Sequence, residues 1–193
     1  FLLIGTVLTV IVQSSSATIA LTLIMAVKGW IDFPSAAAMI MGENLGTTLT
    51  ANIAAIPANI SAKRAAFAHF LFNVLGLIWL IFVFNHFVEI VDNTIAKATS
   101  VYPSDMSSFL ASLTPGQYEQ ITTLPRSELP PDLASIQSQY LSYQAAASYG
   151  LSLFHTFYNI CNVAIMIWFV KFYEKACIFI VRPKKGDDED GEF

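Results

Sequence analysis

The chain has 193 residues, of which 55% are hydrophobic and only 12% are charged, about half the charged fraction of an ordinary soluble domain. This composition excludes a typical soluble or nucleic-acid-binding domain and indicates an all-α protein of the lipid bilayer. The net charge of −4 comes mainly from five of the 14 acidic residues, which stand at the end of the chain: Asp187, Asp188, Glu189, Asp190 and Glu192.

The first 27 residues predict a re-entrant helical hairpin. Segments 1–12 and 17–27 are apolar, but each is about half of the roughly 20 residues that a membrane-crossing helix needs. Four polar residues lie between them: Gln13, Ser14, Ser15 and Ser16. Because Phe1 opens within an apolar run, we also expect further sequence upstream of it.

Segment 34–56 predicts a transmembrane helix that is broken at its centre. It is long enough to cross, but residues 42–48, Gly-Glu-Asn-Leu-Gly-Thr-Thr, combine two glycines with several polar groups. Glycine permits an unwound turn, and non-helical backbone at membrane depth survives only where protein covers it or water reaches it. Two such interruptions close together predict a shared polar cavity near the membrane midplane, as in many secondary transporters.

The rest of the chain predicts two further transmembrane helices, at 66–88 and 149–181. Between them, residues 91–148 form a proline-containing polar insertion without clear periodicity, apart from a stretch around 132–147 that favours a helix. The last segment, 182–193, predicts an acidic linker or tail.

Basic residues predict the orientation. Lys63 and Arg64 precede one span, and five further basic residues surround the end of the last: Lys171, Lys175, Arg182, Lys184 and Lys185. The positive-inside rule therefore places this end and the C-terminus in the cytoplasm and the insertion outside it.

The two interruptions carry the groups that could bind small ions. Hydroxyl and carbonyl oxygens suit a dehydrated sodium ion, and N–H groups at a helix N-terminus suit an oxyanion. A helix beginning near Ala17 would direct its positive end towards the cavity. Two alternatives remain: the serines bond to nearby carbonyls or a neighbouring helix, or the glycines pack helices while Thr47 and Thr48 bond locally.

Together the two motifs resemble the sodium/phosphate cotransporter family, whose inverted repeats each carry a Gln-Ser-Ser-Ser hairpin followed by a Gly-small-Asn-Ile-Gly-Thr-Thr helix. The similarity covers residues 1–90, and the last span resembles the bacterial branch. It implies symport of inorganic phosphate with sodium across a bacterial plasma membrane, without enzymatic activity or a cofactor other than the coupling ion. It also implies that the chain is one half of an inverted-repeat transporter, whose other repeat comes from the same full-length chain or from a second subunit.

The resemblance further implies a set of residues that contact substrate or sodium: Gln13, Ser14, Ser15, Ser16, Asn44, Thr47 and Thr48. Glu43 departs from the small residue usual in the family, and a carboxyl group at membrane depth indicates function by default. It could hold sodium, take up a proton or face an aqueous vestibule. The set of sodium ligands that we expect is Gln13, Ser15, Glu43 and Thr47.

A repeated pattern of His-x-x-aromatic-Asn begins at His69 and at His155, and favours interhelical hydrogen bonds between two antiparallel spans. Competing functions are transport of another oxyanion such as sulfate or arsenate, and a membrane anion sensor or scaffold that does not transport. An intramembrane hydrolase with a serine nucleophile is disfavoured because no glycine-flanked serine elbow is present.

Overall fold

The computed structural model describes residues 1–183, which fold entirely into helices and connecting turns, without a strand. The helices are α1 Leu2–Val12, α2 Ser15–Val27, α3 Phe33–Ala54, α4 Ile60–Thr99, α5 Met106–Ala111, α6 Pro115–Thr123, α7 Pro131–Met166 and α8 Val170–Ile180. Short 3-10 turns occur at Pro103–Asp105, Arg126–Glu128 and Ile167–Phe169. The all-α prediction is confirmed, and most of the predicted acidic tail, residues 184–193, lies outside the described residues.

The chain divides into two compact units. Unit 1 contains Phe1–Ile19, Ala38–Phe84 and the chain from Thr156 onward, and unit 2 contains Ala20–Ala37 and Asn85–His155. Both polar motifs belong to unit 1, and most of the insertion belongs to unit 2.

The helical run that begins at Leu2 is interrupted after Val12. Gln13 adopts the left-handed conformation (φ 56°, ψ 24°), and its N–H closes α1 by donating to the carbonyl of Thr9 at 2.8 Å. Ser14 then caps the next helix, because its Oγ accepts from the N–H of Ala17 at 3.4 Å. The sequence therefore produces two short apolar helices with a polar joint, while re-entry of this pair into the membrane stays a prediction.

The predicted break at residues 42–48 is wrong, because α3 runs without interruption from Phe33 to Ala54. The glycines serve helix packing instead. A Cβ atom on Gly42 would collide with the carbonyl oxygen of Leu2, and one on Gly46 would lie 2.7 Å from the carbonyl oxygen of Thr6. On the facing helix, a Cβ atom on Gly5 would lie 2.9 Å from the carbonyl carbon of Met39. Small residues four apart allow the backbones of α1 and α3 to touch, as in the GxxxG arrangement of membrane helices.

Helix α4 has 40 residues and extends well beyond the predicted span 66–88. Within residues 1–183 it is the one helix that is long and apolar enough to cross a membrane, while α1 and α2 are shorter apolar helices. At about 1.5 Å per residue its length is about 60 Å, twice the thickness of the hydrocarbon layer.

The insertion is helical over most of its length, although its sequence lacks clear periodicity outside 132–147. It contains the end of α4, α5, α6 and the start of α7. Helix α6 begins with a capping box in which Thr114 and Gln117 satisfy each other's backbone groups. A hydrophobic cluster, drawn from α5, α6 and α7 and the turn before α7, holds these short helices together: Met106, Ile121, Leu129, Leu133 and Tyr140.

The predicted last span, 149–181, is not one helix. Helix α7 ends at Met166, and α8 begins only after the turn Ile167–Phe169. The turn contains no glycine or proline, and beyond it the buried Tyr173 donates its hydroxyl to the sulfur of Met166 at 2.8 Å.

Candidate ion-binding site

The joint between α1 and α2 forms a polar surface, the serine tip, which consists of Gln13, Ser14, Ser15 and Ser16. Gln13 and Ser16 are exposed, and the hydroxyls of Ser14 and Ser16 lie 3.3 Å apart. The first N–H groups of a helix have no intrahelical acceptor, and the positive end of the helix dipole lies at the same place. The serine tip therefore combines hydroxyls and amide groups that suit a small oxyanion.

Two buried threonines join α1 to α2 directly behind the serine tip. The hydroxyls of Thr9 and Thr18 lie 3.0 Å apart, and each side chain is 1% exposed. Thr18 also points its hydroxyl at the carbonyl of Ser15, at 3.0 Å. When Thr18 donates to that carbonyl, Thr9 must donate to Thr18, which orders this short hydrogen-bonded chain.

Thr9 and Thr18 were not among the predicted site residues. The available signal was the spacing of Thr6 and Thr9, which are three residues apart in an otherwise apolar helix and therefore share one face. Thr6 uses that face to donate to the carbonyl of Gly42 at 3.0 Å.

The second motif lies on α3, and its two glycines, Gly42 and Gly46, face α1. Glu43 and Thr48 are completely buried, whereas Asn44 and Thr47 are partly exposed. A carboxyl group enclosed in this way is costly to ionise unless a cation or donor compensates it.

The threonines of α3 bond within their own helix. Thr47 donates to the carbonyl of Glu43 at 2.9 Å, and Thr48 donates to the carbonyl of Leu45 at 2.7 Å. This is the local bonding that the sequence left open as an alternative. Each of these hydroxyl protons is directed at a carbonyl oxygen. The hydroxyl oxygens can therefore accept a hydrogen bond or coordinate a cation, but the hydroxyls cannot donate a hydrogen bond to an anion.

The two motifs are connected through the threonine pair. A Cβ atom on Gly46 would lie 2.7 Å from the Cβ atom of Thr9, so α3 touches α1 at that threonine. Thr9 contacts Thr18, and Thr18 bonds to the backbone of the serine tip. This route links the second motif to the first within unit 1 over three residue contacts.

Helices α4 and α7 meet at a second polar contact, while bonds between the two His-x-x-aromatic-Asn patterns stay a prediction. Asn73 donates to the carbonyl of His69 inside its own helix at 3.1 Å. The contact between the helices is made by Asn162, whose Oδ1 accepts from Trp79 Nε1 at 3.1 Å and whose Nδ2 donates to the carbonyl of Phe72 at 3.4 Å. Asn162 was not among the predicted polar contacts; it is fully buried and stands within an apolar run.

Comparison with known proteins connects this arrangement to phosphate transport. A family model described as Na+/Pi-cotransporter matches residues 2–99, which include both motifs. The chain is 44% identical over 84 residues to the Sodium-dependent phosphate transport protein 2C of Mus musculus, which corresponds to 40% of this chain and 14% of that protein. No solved structure matches the chain.

Two bacterial relatives are similar as well. The chain is 26% identical over 182 residues, or 94% of its length, to the Escherichia coli (strain K12) protein named "Putative inorganic phosphate export protein YjbB", and covers 24% of it. It is 43% identical over 76 residues, or 39% of its length, to the uncharacterized protein YqeW of Bacillus subtilis (strain 168), and covers 25% of it. The chain therefore spans about a quarter of the length of these two bacterial relatives.

Proposed function

Since the chain belongs to the Na+/Pi-cotransporter family, we propose that it forms one half of the substrate path of a sodium-coupled symporter for inorganic phosphate. The observation that carries this proposal is the family match over residues 2–99, which contain the serine tip and the α3 motif. The other half is the first inverted repeat, from the same full-length chain or a second subunit. We place the protein in a bacterial plasma membrane with its C-terminus in the cytoplasm.

The donor and acceptor pattern suggests how the two ions divide the site. Phosphate binds at the serine tip, where Ser14, Ser15 and Ser16 offer hydroxyls beside the positive end of α2. Sodium binds nearer α3, because the hydroxyl of Thr47 already donates inside the helix and can present only lone pairs. Gln13, Ser15 and Glu43 complete the sodium ligands, and Asn44 and Thr48 complete the polar lining.

The first test is sodium-dependent uptake of radiolabelled phosphate by the full-length protein in proteoliposomes. Ser15→Ala and Asn44→Ala should each reduce uptake more than about tenfold, because a lost charge-assisted hydrogen bond costs about 1.5–3 kcal/mol. Ser152→Ala is the matched control, since Ser152 is exposed and donates within its own helix at 2.9 Å. Wild-type uptake in both site variants would refute the site, and uptake by the parent without sodium would refute the coupling.

Glu43→Gln separates the roles open to that buried carboxyl, because it keeps the shape and removes the charge. If Glu43 ligates sodium, the sodium concentration for half-maximal uptake should rise at least about tenfold, with a smaller loss at saturating sodium. An unchanged sodium dependence would remove Glu43 from the site.

The same assay decides the direction and the substrate. Efflux should be measured from loaded vesicles as well as uptake, because YjbB is named for export. Sulfate and arsenate serve as competitors, and complete inhibition of phosphate uptake by equimolar sulfate would assign a broader oxyanion transporter. Phosphate binding without flux in either direction would favour the sensor or scaffold.

A further inference from the structure

A cavity of about 380 Å³ opens in unit 1 where α3 ends, α4 begins and α8 ends. Its polar lining consists of Asn52, Lys63 and Arg182, and apolar side chains such as Ile56 and Phe67 form the remaining wall. This volume falls in the range of about 300–1,000 Å³ that is typical of small-ligand sites. Along α3 the lining begins at Asn52, one helical turn or about 6 Å beyond Thr48, and the described residues that line the cavity include none of the serine tip.

Two arginine side chains bond to the backbone around the cavity with only part of their N–H donors. Arg64 donates through Nε to the carbonyl of Val181 at 3.2 Å, which fixes the end of α8 to the start of α4. Arg182 donates through Nε to the carbonyl of Phe179 at 3.0 Å. A guanidinium has five N–H donors, so each arginine keeps further donors after these bonds.

The amide of Asn52 ties α3 to α4 beneath the cavity. Its Nδ2 donates to the carbonyl of Thr48 at 2.7 Å and to the carbonyl of Ala66 at 2.9 Å. Both donors of this amide are therefore engaged, and the floor of the cavity is fixed to the helix that carries the second motif.

Positive charge at the cavity is not neutralised by a carboxylate within residues 1–183. The ion pair of this part of the chain joins His86 to Glu89, at 3.8 Å, and involves neither Lys63 nor Arg182. Lys63 stands in the first turn of α4, where the helix dipole is also positive. Among the described residues the partner of Arg182 is the Phe179 ring, whose centroid lies 5.0 Å from the guanidinium, and cations in a concave, partly apolar setting attract an anion.

We propose that this cavity binds a phosphate group through Lys63 and Arg182, at a second site distinct from the serine tip. Guanidinium matches phosphate oxygens through paired N–H groups, and ammonium adds a compact charge. The group could belong to inorganic phosphate or to an anionic phospholipid, for which Ile56 and Ile180, 69% and 57% exposed, would contact the acyl chains. The proposal does not depend on transport, because cavity and cations are the same whether or not the serine tip moves phosphate.

The test uses full-length protein carrying Ser15→Ala, so that binding at the serine tip is weakened. Inorganic phosphate is titrated by calorimetry, and lipid binding is measured by native mass spectrometry with phosphatidylglycerol against phosphatidylcholine. Adding Lys63→Gln with Arg182→Gln should weaken the binding of the phosphate group about ten- to hundredfold. The control is Lys171→Gln with Lys175→Gln, which removes two exposed cations of α8 that do not line the cavity.

The two arms distinguish the source of the group. Loss of a phosphate titration assigns inorganic phosphate, and loss of selective phosphatidylglycerol binding assigns the lipid; either result supports the site. Equal losses in the control pair, or binding that the cavity pair leaves unchanged, would overturn it. Lys63→Arg with Arg182→Lys keeps both positive charges and should retain binding. If this variant loses binding as the glutamine pair does, the loss indicates misfolding and counts against the proposal. Phosphate flux of the parent protein is measured separately, so a failed symport function does not affect this result.

Discussion

Gly42 is where the backbone of α1 leaves no room for a side chain on α3. A methyl group there would collide with the carbonyl of Leu2 and lie 2.9 Å from the amide nitrogen of Thr6. Gly42→Ala should therefore lower the free energy of unfolding by about 1–3 kcal/mol, the usual cost of overpacking. Thermal unfolding of the purified full-length protein in detergent measures this, with Gly116→Ala as control because a Cβ atom there would meet no atom of another segment within 4 Å. Equal unfolding temperatures for the two variants would contradict the close packing of α1 on α3.

The Thr9 and Thr18 hydroxyls form a buried pair that can be measured by a double-mutant cycle. Thr9→Val and Thr18→Val each remove one hydroxyl while keeping the shape of the side chain. Each should cost about 1 kcal/mol, because the partner loses its buried hydrogen bond. The double variant should cost less than the sum by about 0.5–1.5 kcal/mol, since the second substitution breaks nothing further between them. Additive losses in chemical denaturation would mean that the 3.0 Å contact is not a hydrogen bond.

At the scale of whole helices, the contact between α4 and α7 includes a hydrogen bond from an indole to an amide. Trp79 donates to Asn162 at 3.1 Å and stacks on Tyr158 with ring centroids 5.8 Å apart. A Cβ atom on Gly76 would lie 2.5 Å from the hydroxyl of Tyr158, so this glycine keeps the two helices close. The polar contact and the small residue together define the register between α4 and α7.

Trp79→Phe should therefore lower the free energy of unfolding by about 1–3 kcal/mol, because Asn162 would keep a buried acceptor without its donor. Trp168→Phe is the matched control, since Trp168 is 85% exposed. Both variants are compared by thermal unfolding in the same detergent. A control that loses as much as Trp79→Phe would show that the loss does not come from the hydrogen bond to Asn162.

The structural features that were not predicted from the sequence all depend on tertiary packing. A glycine pair such as Gly42 and Gly46 is compatible with unwinding or with close packing, and the choice depends on α1, which the motif itself does not contain. The insertion helices are short, and their cluster joins Met106 to Tyr140 across more than 30 positions, so no local periodicity indicates it. The 3-10 turn after Met166 contains no glycine or proline that would predict it.

The correct predictions depended on residues that lie close together along the chain. The interruption after Val12 follows from polar residues between half-length apolar segments, and the family follows from two motifs. Thr9, Thr18 and Asn162 escaped notice because single polar residues in apolar runs carry no motif. The residues that connect the predicted site were therefore harder to predict than the residues that form it.

For the molecule as a whole, the membrane topology is the prediction that an experiment can reach most directly. In a variant without Cys161 and Cys177, a new cysteine at Gln117 should react with an impermeant maleimide on intact cells, because the insertion is predicted to lie outside. A cysteine at Asn59, exposed between α3 and α4, should react only after the cells are opened. Labelling of both positions from the same side would refute the predicted topology.

The turn at Ile167–Phe169 also bears on how the molecule fits bilayers of different thickness. An unbroken helix over 149–181 would be about 50 Å long and would need a strong tilt, whereas the part that ends at Met166 is about 27 Å long, close to the hydrocarbon thickness. If this segment crosses the membrane as predicted, the crossing helix ends at the turn, and α8 is held to the start of α4 by the bond from Arg64 to the carbonyl of Val181. The position of the turn would then set the bilayer thickness that the segment matches without tilting.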